Sequence, residues 1–374
     1  MKILVTGAKG FIGKNLVVTL RRDCLPECIW EYDIGSSSET LKTGLAQADI
    51  VFHLAGVNRP ERNGDFFSGN TDLTREVCNA LGRREHSPVL VLSSSTQAEL
   101  NNPYGISKKG AEEAVFDYAK ETGATIAVFR LPGIFGKWSR PNYNSVVATF
   151  CHNIARDLPV SISDPTREID LVYIDDVVKS FLKVMDGLGL PEESQYLETE
   201  PVYRVTLGKL AETIRSFRDI RKSLLVPDQS DRFTCCLHAT YISFLPPEDL
   251  AYSLITNEDQ RGGLAELIKS PCFGQIFVSR TKPGITRGNH YHDTKVEKFA
   301  VLSGEAVVRF RHVLDSEVIE YSVTGDSFQV IDIPPGYTHN ITNIGDSELI
   351  VLFWSNELFD RNAPDTHVAD VREE

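Results

Sequence analysis

The chain has 374 residues, a formal net charge of −13 and a hydrophobic fraction of 41%. This length exceeds what one ordinary hydrophobic core holds and predicts two domains. The acidic balance argues against a nucleic-acid or anionic-membrane surface. Seven cysteines without a repeated spacing are typical of reduced thiols. No apolar run approaches the ~20 residues of a membrane span, and no signal-peptide pattern precedes the first strand, so we expect a cytoplasmic protein.

Strand and helix patterns alternate from residue 1 to about residue 245. Continuous apolar runs such as IVFHL and VLVL are typical of buried parallel strands, because both faces of such strands are covered. The alternation predicts an α/β domain with a Rossmann-type, doubly wound parallel sheet. Its clearest predicted strands are 2–6, 28–32, 50–54, 89–92 and 125–129, with helices at 11–21 and 111–121.

The pattern changes near the sequence LPPED, which begins at Leu245. Short β-rich segments follow, separated by turns with Gly, Asp and Asn, at the spacing expected of an all-β sandwich or barrel. We therefore predict two domains, residues 1–245 and 246–374. The predicted strands of the second domain are 275–281, 297–302, 306–312, 318–323, 328–333 and 349–354.

The first strand runs into a glycine-rich loop, GAKGFIG. Gly7 suits the tight turn, Gly10 the close approach of a pyrophosphate to the backbone, and Gly13 close packing of helix and strand. The helix that follows offers its first N–H groups, from Phe11 and Ile12, to phosphate oxygens. The spacing is GxxGxxG rather than GxGxxG, but its place directly after a strand favours a dinucleotide site.

Tyr104 and Lys108 are four residues apart, which places them on one face of a helix. A free tyrosine hydroxyl titrates near ~10. A lysine ammonium one turn away, with the positive charge of a nicotinamide, would favour the phenolate and lower that pKa. A hydroxyl donor should complete the site, and the run SSST ends the preceding strand. We choose Ser95, with Ser94 and Thr96 as alternates.

These motifs, together with HLAG, RLPGIFG and YIDDVV, resemble the extended short-chain dehydrogenase/reductase family over the first ~240 residues. The resemblance implies an NAD(P) cofactor and a nucleotide-sugar substrate. It adds Leu54, Ala55 and Gly56 to the expected cofactor site. By analogy, the sugar nucleotide would be contacted by three loop residues: Asn142, Asn144 and Arg167.

The second predicted strand ends at Asp33. A carboxylate there bonds the ribose 2′-hydroxyl of the cofactor and repels a 2′-phosphate, which favours NADH. The stretch between the second and third strands is unusually short, so the pocket there can differ from the common form. NADPH and NADH therefore both stay open as the cofactor.

Two later segments, GITRGNHYHDTKVEKFAVLSG and PPGYTHN, resemble the two motifs of the cupin family. His290 and His292 alternate on a strand and point to one side, Glu297 follows a turn, and His339 comes from a later strand. Three imidazoles and a carboxylate suit Zn²⁺, Fe²⁺, Mn²⁺ or Ni²⁺, and we take Zn²⁺ first. We therefore predict an all-β cupin barrel that binds a divalent metal.

The strings HLAGVNRP, FGKWSRPNYNSVVATF, KPGITRGNHYH and RFRHV resemble, essentially end to end, the CapF-type bifunctional enzymes of bacterial capsule and O-antigen synthesis. The resemblance implies a place in the pathway to UDP-N-acetyl-L-fucosamine. The cupin domain would epimerise C3 of a UDP-2-acetamido-2,6-dideoxy-hexos-4-ulose. The reductase domain would then reduce the C4 ketone to UDP-2-acetamido-2,6-dideoxy-L-talose, with NADPH as the family's expected cofactor.

The role of the metal and the residues that transfer protons stay open from sequence alone. The metal is either a Lewis acid for the enolate or a structural ion. The epimerisation acid and base are unassigned, although four residues lie near the motifs: Lys282, Tyr291, Lys298 and Tyr337. Both domains commonly dimerise in their families, so a homodimer is expected. The alternatives are a 4-ketoreductase with a purely structural, dimerising cupin and a non-catalytic sugar-nucleotide-binding protein.

Overall fold

The computed structural model of the chain describes residues 1–60, 62, 64–188, 196–327 and 329–372. These residues form two compact units, Met1–Arg215 with Arg232–Pro246 and Ser216–Asp231 with Pro247–Glu374. No helix within the described ranges is long and apolar enough to cross a lipid bilayer.

The first unit is built on a six-stranded parallel sheet in the order β2-β1-β3-β4-β5-β8. The order reverses between β1 and β3, and in open α/β sheets ligands bind at the carboxyl ends of the strands beside such a point. A smaller sheet has the order β6-β7-β9. The strands are β1 (Ile3–Thr6), β2 (Ile29–Tyr32), β3 (Ile50–His53), β4 (Val89–Ser95), β5 (Ile126–Leu131), β6 (Gly133–Phe135), β7 (Glu168–Tyr173), β8 (Tyr196–Leu197) and β9 (Val202–Thr206).

Helices cover both faces of the large sheet, and each face has its own apolar core. One core packs Phe52, Phe129 and Phe181 together, and the other is centred on Val51, Leu90 and neighbouring residues. The helices are α1 (Phe11–Asp23), α2 (Ser38–Gln47), α3 (Gly64–Phe66), α4 (Leu73–Leu81), α5 (Pro103–Thr122), α6 (Val146–Ala155), α7 (Ile174–Met185), α8 (Leu207–Ser223) and α9 (Arg232–Ile242).

The second unit consists of two antiparallel sheets, β10-β11-β12-β19-β14-β17 and β16-β15-β18-β13-β20. Strands of both sheets contribute to one apolar cluster, which includes Phe299 and Phe353 from the first sheet and Val308 and Ile341 from the second. The strands are β10 (Thr256–Asp259), β11 (Gly262–Ser270), β12 (Gly274–Thr281), β13 (Thr286–Tyr291), β14 (Glu297–Ser303), β15 (Glu305–His312), β16 (Val318–Thr324), β17 (Val330–Ile333), β18 (Tyr337–Asn343), β19 (Leu349–Ser355) and β20 (His367–Val368).

The fold class predicted from sequence is confirmed: a parallel α/β domain precedes an all-β antiparallel one. Two details differ. The segment Ser216–Asp231 groups with the second unit, because Lys269 of β11 exchanges main-chain hydrogen bonds with Leu224 and Val226. The strand expected at 328–333 is observed as Val330–Ile333, and Phe328 lies outside the described residues.

Candidate active site and metal centre

The glycine loop joins β1 to α1 and leaves no room for side chains at two of its positions. A Cβ on Gly7, which has φ +70°, would lie 2.7 Å from the Ala55 nitrogen, and a Cβ on Gly13 would lie 2.1 Å from the Gly7 oxygen. Gly10 caps α1 without a side-chain hydrogen bond, so no cap side chain occupies the first N–H groups of the helix. Such a helix start suits a phosphate.

Asp33 follows β2, and its carboxylate is fixed against the glycine loop. One oxygen accepts the Lys9 backbone N–H at 2.6 Å, and the other accepts the Ile34 N–H at 2.7 Å. The carboxylate therefore lies beside the glycine loop. Of the other predicted cofactor residues, Leu54 and Ala55 bond through their N–H groups to Thr6, at 3.1 Å and 3.2 Å.

Tyr104 and Lys108 occupy the first turns of α5, which starts earlier than the sequence pattern indicates. Pro103 opens the helix and Asn102 caps it, accepting the Gly105 N–H at 2.8 Å. The Lys108 ammonium is buried and donates to the Ser93 carbonyl at 2.6 Å. The two side chains therefore start from one helix face, at the carboxyl end of β4.

The electrostatics of this pair depend on burial. Burial lowers the pKa of Lys108 to about 8, and the Glu112 carboxylate opposes this shift. Burial raises the pKa of Tyr104, while a hydrogen bond with the Ser95 side chain acts in the opposite direction. Desolvation therefore sets the direction of the tyrosine pKa shift, and Ser95, rather than Lys108, opposes it. Ser95 is the serine that contacts the tyrosine.

The neighbouring serine has a different task. Ser94 donates to Glu112 Oε1 at 2.5 Å, and Arg130 binds the same carboxylate through Nε at 3.0 Å and Nη2 at 2.7 Å. Successive strand residues point to opposite faces, so Ser94 is used in a buried ion pair while Ser95 stays on the side of Tyr104. Because Ser94 is bonded in this ion pair, it is no longer an alternate to Ser95 as the hydroxyl donor beside Tyr104. Thr96 lies in the short helix that follows β4.

The three residues expected to contact the sugar nucleotide are exposed and lie on loops. Asn142, at φ 54°, and Asn144 precede α6. Arg167 precedes β7 and uses its carbonyl to accept the Leu207 N–H at 3.0 Å. Within the described ranges, no side-chain contact joins the three to Tyr104 or Lys108. Their role therefore stays a prediction.

A group that the sequence argument missed lies in the same loop. The ring of Tyr143 has the Arg140 guanidinium 4.8 Å from its centroid and the Arg59 guanidinium 5.9 Å away. We name these three residues the arginine–tyrosine cluster. In the described part of the chain neither arginine has a carboxylate within ion-pair distance. The available signal was an arginine close to an aromatic residue in RPNY and a further arginine in VNRP, both in loops after strands.

The four predicted metal ligands come together in the second unit. Their donor atoms all lie within 4.8 Å of one another. The Nε2 atoms of His292 and His339 lie 3.5 Å and 3.4 Å from Glu297 Oε2, and both nitrogens are buried without a hydrogen-bond partner. His290 reaches the group across a bulge in β13. Buried nitrogens aimed at one carboxylate fit a divalent metal ion.

The protonation states of His290 and Glu297 also fit, whereas the pKa of His292 is raised, because burial is outweighed by the nearby Glu297. Burial lowers the pKa of His290 to about 4, and the neighbouring imidazoles add to this shift. The pKa of Glu297 is lowered to about 2: burial acts against this shift, but the nearby His292 and His339 imidazoles outweigh burial. A neutral imidazole and an ionised carboxylate are the forms that bind metal.

The four residues considered as acid or base for the epimerisation differ in their surroundings. The Lys298 ammonium is paired with Asp332. Tyr291 is next to the ligands in sequence but on the opposite strand face, where its ring lies tilted against that of His367, with centroids 5.0 Å apart. Lys282 is exposed. Tyr337 lies two residues before His339 on β18, so it shares the strand face of a metal ligand.

Family models match both domains of the chain. The model of the NAD dependent epimerase/dehydratase family matches residues 3–193, and that of the polysaccharide biosynthesis C-terminal domain matches residues 257–367. The UDP-2-acetamido-2,6-beta-L-arabino-hexul-4-ose reductase of Pseudomonas aeruginosa is 44% identical over 376 aligned residues, covering 100% of each chain.

Solved structures also include relatives that match the whole chain or its first domain. The capsular polysaccharide assembling protein CapF from Staphylococcus aureus has a TM-score of 0.92 and 44% identity, over 99% of this chain and 100% of that one. The UDP-glucuronic acid 4-epimerase from Bacillus cereus in complex with NAD, at 20% identity and a TM-score of 0.51, shares the fold of 58% of this chain and 84% of its own. A dinucleotide-type α/β domain joined to a polysaccharide-biosynthesis domain thus defines the class. The chain belongs to the NAD dependent epimerase/dehydratase family, among its CapF-type members.

Proposed function

We propose that the chain is a bifunctional nucleotide-sugar enzyme. The second domain epimerises C3 of a UDP-2-acetamido-2,6-dideoxy-hexos-4-ulose, and the first reduces the C4 ketone to UDP-2-acetamido-2,6-dideoxy-L-talose, for UDP-N-acetyl-L-fucosamine and then capsule or O-antigen. One observation carries this proposal: a half-buried Tyr104 beside a buried Lys108, and four metal-ligand residues of which three are buried, occur in the same chain. The reductase from Pseudomonas aeruginosa supports the substrate class.

In the reductase site, each residue has a separate task. A nicotinamide, when bound, would supply the hydride that C4 receives. Ser95 holds the carbonyl oxygen by a hydrogen bond, and Tyr104 donates its hydroxyl proton to the alkoxide as the charge develops. Lys108, held by the Ser93 carbonyl, stabilises the phenolate that remains. The raised pKa of Tyr104 keeps its proton in place until the alkoxide forms.

In the second site, four residues hold a divalent ion, with Zn²⁺ as our first choice: His290, His292, Glu297 and His339. When bound, the ion supplies Lewis acidity for an enolate oxygen, which makes a C3 proton next to a ketone removable. Tyr337 is the candidate we retain for proton transfer, because it shares a strand face with His339. A purely structural ion is the alternative.

The cofactor is NADH or NADPH. Asp33 supports NADH, since its carboxylate is held beside the glycine loop by the Lys9 N–H and repels a 2′-phosphate. The family model, NAD dependent epimerase/dehydratase, supports the same choice. We further propose a cytoplasmic homodimer, as is common for both kinds of domain.

The arginine–tyrosine cluster is our candidate for binding the substrate diphosphate. Its two guanidinium groups follow β3 and β6, at the carboxyl ends of strands, and Tyr143 lies three residues before the start of α6, whose first N–H groups favour an anion. Each arginine would contribute about 1.5 kcal/mol or more to binding a charged oxygen.

Replacing Arg59 and Arg140 by alanine should therefore weaken UDP binding by about tenfold for each arginine removed, because about 1.4 kcal/mol corresponds to one factor of ten. Titration calorimetry with UDP measures this loss directly. Arg22→Ala, which removes an exposed arginine outside the cluster, is the control and should bind UDP as the wild type does. UDP affinity unchanged in the double variant would rule out the cluster as the diphosphate site.

The function is tested by incubating the protein in D₂O with the UDP-linked 4-keto-6-deoxy-N-acetylhexosamine, with no cofactor, with NADH or with NADPH, and following the sugar by NMR. We expect deuterium at C3 without cofactor and a talo product once a reduced cofactor is added. Comparing the two cofactors decides between them. Reduction without exchange would leave the second domain a structural role.

A further inference from the structure

Near the C-terminal end of the described residues, β20 pairs with β13, the strand that carries His290. In β20, Val368 pairs with His290 and His367 with Tyr291. Just before β20, Asp365 adopts φ 39°, a left-handed conformation that non-glycine residues seldom take. A residue in such a conformation, beside a functional site, points to a specific role for its backbone and side chain.

Asp365 contacts the metal-ligand region in two ways. Its main-chain carbonyl accepts the Nδ1–H of His292 at 2.5 Å. Its carboxylate accepts the backbone N–H groups of Asp293, Thr294 and Lys295 at 2.9, 3.0 and 2.8 Å, and the Thr294 hydroxyl at 3.0 Å. One residue therefore holds both a ligand ring and the turn that connects His292 to Glu297.

The carbonyl contact fixes which nitrogen of His292 can bind an ion. A carbonyl oxygen only accepts, so Nδ1 carries the proton and Nε2 keeps its lone pair. That Nε2 is buried, has no hydrogen-bond partner and faces Glu297. The contact thus selects the tautomer and the ring orientation that a metal site needs.

We propose that Asp365 is a positioning residue of the metal centre: its carbonyl orients His292 and its carboxylate sets the turn that carries the chain to Glu297. This inference rests on the proposed metal site. It also accounts for the cluster of Asp293, Asp365 and His367, because the two carboxylate oxygens of Asp365 already accept four donors.

Outer-shell partners of this kind typically change metal affinity by about 10- to 100-fold. We therefore expect Asp365→Ala, which loses the carboxylate and disfavours the left-handed backbone, to raise the zinc dissociation constant by about that factor. Asp365→Asn keeps an acceptor oxygen and tolerates that backbone, so it should retain most of the affinity. His367→Ala, which removes an exposed neighbour, should bind zinc as the wild type does.

The affinities are measured by competition with a chromophoric zinc chelator, together with the urea stability of the metal-free proteins and the d–d spectrum of the cobalt-loaded ones. An altered cobalt spectrum in Asp365→Ala would show a changed ligand geometry, as expected. Unchanged zinc affinity and spectrum, with only the metal-free stability lowered, would reduce Asp365 to a structural role. A wild-type protein that takes up no zinc would overturn the metal site itself and this inference with it.

Discussion

We expect Tyr104→Phe to abolish reduction of the C4 ketone and to leave hydrogen exchange at C3 intact. The variant keeps the ring, which packs 5.6 Å from that of Phe66, but it removes the proton that the developing alkoxide must receive. General acid catalysis typically contributes about 10²- to 10⁴-fold to the rate, so we expect a loss of this order. The loss should appear in kcat, because Ser95 still holds the carbonyl.

The decrease in absorbance at 340 nm reports cofactor oxidation, and NMR in D₂O reports exchange at C3. Tyr118→Phe is the matched control, because Tyr118 lies on the same helix but has its ring in the apolar core. It should reduce the ketone nearly as well as the wild type. Reduction by Tyr104→Phe at a rate close to that of the wild type would exclude the tyrosine as the proton donor.

The reductase site shows what spacing alone predicts. The interval of four residues correctly predicts that Tyr104 and Lys108 share a helix. The start of that helix was missed by eight residues, because Gly105 and the polar residues of the first turns lack an apolar period, while the capping Asn102 and the Pro103 after it give the observed start. The choice among the serines also required structure, since only the Glu112–Arg130 pair shows that Ser94 is already bonded.

The strands of the second domain were predicted where apolar and polar residues alternate. Strands without this alternation were missed. Thr256–Asp259 is wholly exposed and polar, so periodicity gives no signal there. The pairing of Leu225 with Lys269 joins residues far apart in sequence. Asp365 was missed for the same reason, because it contacts His292 from 73 positions away. A local sequence pattern predicts the metal ligands but not a distant residue that contacts them.

The second large effect concerns the metal ligands. His290→Ala combined with His339→Ala should strip the metal and stop deuterium from entering C3. The two imidazoles approach from different strands, with ring centroids 4.6 Å apart, so the double variant leaves His292 and Glu297 as a two-residue set, below the three or four protein ligands typical of zinc sites. Without an ion to stabilise the enolate oxygen, the C3 proton keeps its ordinary low acidity.

Metal content is measured by mass spectrometry of the purified protein, and exchange by NMR in D₂O. His86→Ala, which removes an exposed histidine of the first unit, is the control and should keep both metal and exchange. The double variant should still reduce a ketone that has already been epimerised at C3, because Tyr104, Lys108 and Ser95 are intact. Undiminished deuterium uptake by a folded, metal-free double variant would show that the ion is structural, and the proton transfer would then have to depend on protein side chains such as Tyr337 alone.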